Sequence, residues 1–252
     1  MKNIAIITGA SSGLGAELYK EIQKESLDEI WIIARREDRL IKLKEDFAKI
    51  ETRVIPMDIT LDENVKALEA LLNDGEYNVK FLFNNAGFGI IGNVIDSSYD
   101  SQSSMVTLND KALVEITTVV LKRMSNGSCI INTCSIASFV PNARMSVYSA
   151  TKAFVMSYTR SLKYELKKRK INVTAICPGP MSTEFLAVAG INEGVSKAFD
   201  KLPRCNVTKT ARGGIKAAKK GRAVYTPHPF YKFYRVLAKL LPQKWLLRAA
   251  KT

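Results

Sequence analysis

The chain has 252 residues, 46% of them hydrophobic, with four cysteines, one histidine and a formal net charge of +14. That length and apolar content suit one large domain with its own core, while the single histidine, His228, leaves almost nothing for a Ser-His-Asp hydrolase or a multi-histidine metal site. No apolar run reaches the roughly 18 residues of a membrane span, and the N-terminus meets glycines too early for a signal peptide, so a cytoplasmic protein without a metal is expected.

The charge is unevenly placed. Fifteen of the 38 basic residues lie after residue 195, against a single acidic residue, Asp200, of the 24, so the whole excess sits in the last quarter. Cys129, Cys134, Cys177 and Cys205 show no CxxC spacing, and three of them lie in or beside apolar strand-like runs, where a reduced buried thiol is the ordinary state.

In chain order, β-branched apolar runs recur at 3–8 (NIAIIT), 29–34 (EIWIIA), 52–57 (TRVIPM), 79–84 (VKFLFN), 128–133 (SCIINT) and 171–176 (INVTAI). A short seventh run, RAVYT at 222–226, is expected to close the set. Between them lie amphipathic patterns such as LGAELYKEIQKE (14–25) and ENVKALEALLN (63–73). Continuous apolar strands alternating with such helices imply a parallel sheet covered on both faces, a doubly wound α/β domain of about seven strands. Nothing reads as a linker, so residues 1–252 are expected to form one Rossmann-type domain.

The first strand runs into TGASSGLG, residues 8–15, and then a helix. Glycines 9, 13 and 15 let the backbone turn tightly and approach a pyrophosphate, and the helix offers free N–H groups and a positive dipole end to the anion. A glycine triplet alone is weak, but strand before and helix after are the required context. At the end of the second strand, Arg35 and Arg36 stand 20 and 21 residues after Gly15, where an acid would bind the free ribose of NAD. Arginine there suits the 2′-phosphate of NADP. The alternative is that the arginines are solvated helix-start residues, neutralised by Glu37 and Asp38.

Further on, VYSATKAF at 147–154 puts Tyr148 and Lys152 one turn apart on a helix. Most such pairs carry no chemistry, and a tyrosine with a pKa of about 10 is a poor acid or base at neutral pH.

Taken together, TGASSGLG, Asp58 after the third strand, NNAG at 84–87, Asn109, Ser135, YSATK at 148–152 and PGPMST at 178–183 resemble the short-chain dehydrogenase/reductases. The match covers roughly residues 1–185 in order, with the expected 13 positions from Ser135 to Tyr148. The resemblance implies an NADP(H)-dependent oxidoreductase interconverting a ketone and a secondary alcohol. Tyr148 would move the proton, its pKa lowered by the Lys152 ammonium and by the positive ring of the oxidised cofactor. Ser135 would donate to the substrate oxygen, Lys152 would hold the nicotinamide ribose, and Asn109 would anchor a relay water or else be a helix-bending polar residue satisfied by backbone.

By the same resemblance, cofactor contacts fall to Gly9, Ser11, Ser12, Gly13, Leu14 and Gly15, to Arg35 and Arg36, and to Asp58 and Ile59 at the adenine. Asn85 and Gly87 would line the ribose side, Pro178, Gly179, Met181 and Thr183 the loop after the sixth strand, and Tyr148 and Lys152 would also touch the cofactor. Thr183 is equally a cap for the helix that follows.

Beyond Thr183 the resemblance thins. Residues 184–220 are expected to form the substrate lid, and Phe185, Leu186, Val188, Ile191, Val195, Phe199 and Leu202 argue for an apolar substrate such as a steroid, bile acid or fatty-acyl derivative, although such residues more often pack on a core. A 3-oxoacyl thioester reductase, whose acidic carrier protein would suit a basic surface, is the alternative enzyme. A non-catalytic NADP-sensing protein is the alternative of another class, and retention of Ser135, Tyr148 and Lys152 weighs against it. No nucleic-acid motif accompanies the basic end.

The resemblance favours a homodimer or homotetramer through helices at 101–124 and 147–169. The basic segment 227–252 is expected to hold an amphipathic helix ended near Pro242 and a second turn with Trp245. Its Lys232, Arg235 and Lys239 would share one face, and Phe230, Phe233, Leu237, Leu240 and Leu241 another. That apolar face either packs beside the substrate pocket or docks weakly on an anionic membrane through residues 229–252.

Overall fold

The computed structural model describes residues 1–191, 200 and 202–249. Seven parallel strands, β1 (Lys2–Thr8), β2 (Glu29–Ala34), β3 (Glu51–Pro56), β4 (Tyr77–Asn84), β5 (Cys129–Thr133), β6 (Asn172–Ile176) and β7 (Val224–Tyr225), pair in the order β3-β2-β1-β4-β5-β6-β7. Alternation along each strand divides the core. Ile4 and Ile6 of β1 face the layer of helices α3 (Asp62–Asn73), α5 (Ala112–Leu121) and α6 (Ser146–Glu165). Ala5 and Ile7 face α1 (Gly13–Ile22), α2 (Glu37–Phe47) and α8 (Val207–Lys219). Burial on both faces is why the strands read as unbroken apolar runs.

The expected strands are all found within two residues at either end, and β7 is only a two-residue edge strand held by the pairs Ala175 with Val224 and Ile176 with Tyr225. Strand order reverses between β1 and β4, so the loops after these two strands diverge and open a crevice at their carboxyl ends.

Two features depart from expectation. The helix that begins as α4 (Tyr99–Val106) widens into a π turn over Thr107–Lys111 before continuing as α5, with Asn109 buried in that turn. Residues 207–219 do not belong to a lid. As α8 they lie against α1, with Ala211, Ile215 and Ala218 in the core, because small residues at one face allow close helix packing.

The chain closes with α7 (Glu184–Val188), α9 (Pro229–Leu240) and α10 (Gln243–Ala249). His228 caps α9, its Nδ1 accepting from the Phe230 N–H at 3.2 Å. All four cysteines are buried and unpaired.

Candidate active site

The crevice at the strand-order reversal is a cavity of about 960 Å³. Its floor at one end is the loop between β1 and α1. Gly9 has φ +67°, and a Cβ there would stand 2.7 Å from the Ala86 backbone, so the loops after β1 and β4 approach each other only with glycine at that position. Gly13 and Leu14 line the cavity, whereas Gly15 does not. A Cβ at Gly15 would lie 2.1 Å from the Gly9 carbonyl oxygen. Gly15 therefore lets the loop pack closely on the first turn of α1. The first turn of α1 has no side-chain cap from Ser12, which leaves its N–H groups for an anion.

Cationic groups stand beside that loop. Arg36 donates to Ser11 Oγ and Ser12 Oγ, each at 3.1 Å, and to Glu184 at 2.9 Å. Arg39 also donates to Glu184, and the two guanidiniums hold the Glu184 carboxyl down at about 2. The neutralising partner of Arg36 is thus Glu184 of α7, and not its neighbours Glu37 or Asp38. Arg35 is 77% exposed and reaches within 3.8 Å of Asp58. Asp58 in turn accepts from the Thr60 N–H and hydroxyl, and Ile59 and Thr60 line the same wall. This donor set of helix amides, hydroxyls and guanidiniums fits the phosphates of a dinucleotide.

At the centre, the ends of β4 and β5 meet the first turn of α6. Ser135, Tyr148 and Lys152 are all buried and line one stretch of the cavity, with Asn85 and Gly87 opposite. Lys152 Nζ donates to the Thr133 carbonyl at 3.0 Å and stands 5.7 Å from the Tyr148 ring centre. Burial pushes the Tyr148 phenol well up, and the hydrogen bond with Ser135 only partly offsets it. Burial thus dominates the Tyr148 phenol, while the nearby Lys152 ammonium bonds the Thr133 carbonyl. Burial pulls Lys152 below its ordinary value.

Asn109 does not line the cavity. Its Nδ2 donates to the Phe88 carbonyl at 2.9 Å and to Thr151 Oγ1 at 3.1 Å, and its Oδ1 accepts from the Phe88 N–H. These bonds tie the π turn to the loop after β4. Beside Asn109, the Asp110 carboxyl is pushed up to about 7 by burial, against the opposing charge of Lys152, and its Oδ1 has no hydrogen-bond partner among the described residues.

The other end of the cavity is apolar. Phe185, Leu186, Val188, Ile191 and Leu202 line it as expected, while Val195 and Phe199 lie outside the described residues. Pro178, Gly179, Met181 and Thr183 form the near wall. Thr183 makes no side-chain cap bond to α7, so the capping alternative does not hold.

Residues 3–194 match the sequence model of the short chain dehydrogenase family. The chain belongs to the short-chain dehydrogenase family of oxidoreductases. Among its relatives, an uncharacterized oxidoreductase of Staphylococcus haemolyticus is 33% identical over 182 residues, covering 71% of this chain and 78% of that protein. A short-chain dehydrogenase from Sphingobium yanoikuyae in complex with NADPH superposes with a TM-score of 0.79 at 24% identity, covering 97% of this chain and 95% of that one. A short-chain dehydrogenase/reductase from Burkholderia phymatum in complex with NAD gives 0.82 at 22% identity, covering 93% and 92%. At these identities the two structures share the fold.

Within this short-chain dehydrogenase, several wall residues escaped the sequence reading. Thr60, Thr133 and Cys134 sit at strand ends next to expected positions and follow from the strand register alone. Tyr231 and Tyr234 of α9 and Leu246 of α10 also line the cavity. Tyr231 is fully buried, donating to the Pro203 carbonyl at 2.7 Å, and the Tyr234 ring packs 6.3 Å from that of Phe139. The inward face of α9 thus carries the tyrosines. Of the apolar face left open between packing beside the pocket and docking on a membrane, Phe233 and Leu240 are 64% and 74% exposed, while Phe230 lines the cavity.

Proposed function

We propose that the chain is an NADP(H)-dependent oxidoreductase that interconverts a ketone and a secondary alcohol on an apolar substrate. One observation carries this reading: Ser135, Tyr148 and Lys152 meet in the middle of a single cavity whose one end is cationic and whose other end is apolar. When bound, the nicotinamide supplies or accepts the hydride and, oxidised, brings a positive charge.

The chain's own groups do the rest. Held up by burial, Tyr148 keeps its proton at neutral pH, which is the state that donates to a carbonyl oxygen in the reductive direction. Ser135 donates a hydrogen bond to the same oxygen and holds the carbonyl toward Tyr148. Lys152, fixed by the Thr133 carbonyl, presents its remaining N–H groups to ribose hydroxyls. Arg36, with the Ser11 and Ser12 hydroxyls around it, supports a 2′-phosphate and hence NADP over NAD. Phe185, Leu186 and Tyr234 exclude water from a hydrophobic body of steroid, bile-acid or fatty-acyl type.

The test is a panel of bulky apolar ketones and alcohols assayed with each cofactor by nicotinamide absorbance. Turnover of at least one apolar ketone, faster with NADPH than with NADH, is expected. Tight NADPH binding without turnover of any compound leaves the sensing protein as the reading instead.

A further inference from the structure

Helix α9 is apolar on the side that points away from the protein. Tyr231 and Ala238, one on each of two inner turns, face the body, with Tyr231 fully buried. Phe233, Val236 and Leu240 fall on the opposite side at helical spacing and are 64%, 49% and 74% exposed, and Trp245 of α10 is 56% exposed. A surface helix ordinarily reverses this arrangement, with its apolar stripe inward. Lys232 and Lys239 run along one border of the stripe, both exposed, and neither has an ion-pair partner among the described residues. By contrast, the basic residues Arg212 and Lys219 of α8 are paired, with Glu21 of α1 and with Glu25 just beyond it.

We infer that α9 and the start of α10 form a docking surface for an anionic lipid bilayer. Exposed phenylalanine, leucine and tryptophan bordered by lysines is the composition that lets a helix lie in the interface, its apolar side among the acyl chains and its cations at the headgroups. Charge complementarity selects the occupant. The sequence holds no acidic residue after Asp200, so a second copy meeting this face with its own would set lysines against lysines with no counter-charge. Tyr231, Tyr234 and Leu246 reach from the same two helices into the cavity wall, so docking sets the apolar end of the cavity next to the bilayer. That consequence rests on the apolar-substrate reading proposed above. The docking itself does not, and it is read without any substrate.

The experiment is co-sedimentation of the full chain with phosphatidylglycerol–phosphatidylcholine vesicles and with phosphatidylcholine alone. Sedimentation with the anionic vesicles at low salt and release at high salt are expected. The double variant Phe233→Ser/Leu240→Ser should lower partitioning by about tenfold or more, since two exposed apolar side chains lose their burial. Lys232→Glu/Lys239→Glu should abolish it, and Tyr164→Ser, at a distant residue that is 83% exposed, should leave it unchanged. An unchanged circular dichroism spectrum and thermal midpoint in every variant check that each is folded. No sedimentation with anionic vesicles, equal sedimentation with neutral ones, or equal partitioning of the serine double variant overturns the inference. So does a gel-filtration shift from oligomer to monomer in the serine variant without vesicle binding, which assigns the face to a second copy.

Discussion

The two ends of the cavity are built by different means. At the phosphate end, each group hangs on a strand end or on the first turn of a helix: Ser11 and Ser12 after β1, Arg35 and Arg36 after β2, Asp58 after β3. At the apolar end, the wall is made of the helices α7, α9 and α10, and of side chains whose direction depends on what they pack against. The first end is held by backbone geometry, so its chemistry depends on few residues and tolerates little change. The second is held by burial, which many side chains supply.

The sharpest break in this comparison lies where the two ends meet. Tyr148→Phe is expected to lower kcat by about 10²-fold or more, the scale of positioned acid catalysis, with NADPH affinity within a few-fold of wild type. Parallel measurement of turnover and cofactor fluorescence checks it; a variant that keeps a tenth of wild-type kcat removes Tyr148 from the proton-transfer role.

Next in size is the phosphate end. Arg36→Ala should weaken NADPH by about 1.5 to 3 kcal/mol, the range for hydrogen bonds to a charged group, and NADH far less. Calorimetric titration with both cofactors gives the answer, and equal losses reject the assignment of the guanidinium to a 2′-phosphate.

A smaller effect tests the sheet-built side by titration. Asp110 has a native pKa of about 7 against an ordinary 3.8, so it keeps its proton in the native state through a range where the unfolded chain has lost it. The stability this gives is complete below pH about 3.8 and is lost as pH rises through about 7. Asp110→Asn removes that loss. The variant should therefore gain on wild type between pH 4 and pH 8 by on the order of 1 kcal/mol, a figure kept small because solvent screens a half-exposed carboxyl. Thermal unfolding at both pH values measures it, and a difference that does not change with pH contradicts a carboxyl raised by burial.

The smallest expected effect crosses between the two ends. Glu184 belongs to α7 at the apolar end, yet it pairs with Arg36 and Arg39 at the other. Its carboxylate competes with a phosphate for Arg36, so Glu184→Gln should tighten NADPH by roughly twofold to fivefold, the scale of an exposed ion pair, and leave NADH nearly unchanged. Weaker NADPH binding in the variant would mean that Glu184 positions Arg36 rather than competing for it.

Much of this molecule was legible in the residues. Strands buried on both faces must be apolar throughout, so β1 to β6 announced themselves and the doubly wound order followed. The glycine loop and the spacing from Ser135 through Tyr148 to Lys152 were legible because each is a local requirement of strand end, turn and helix. The close packing of Gly15 on its own loop was not legible, since a glycine needed there and one needed against a ligand look alike in sequence. Which side of α9 turns inward is not legible in the residues, because a helix with aromatic residues all round has no unique apolar face; in the structure Tyr231 turns in and donates to the Pro203 carbonyl.

By itself, then, the order of residues determined the sheet, the crevice at its strand-order reversal and the set of groups around it, because those depend on hydrophobic period and local backbone geometry. Only the tertiary structure decided that Arg36 meets Glu184 across 148 residues, that Lys152 bonds the Thr133 carbonyl while Tyr148 is left raised by burial, and that Phe233 and Leu240 face outward. Those outcomes depend on which surfaces come together at long range and on how much water they exclude, and neither quantity is carried by any short stretch of the chain.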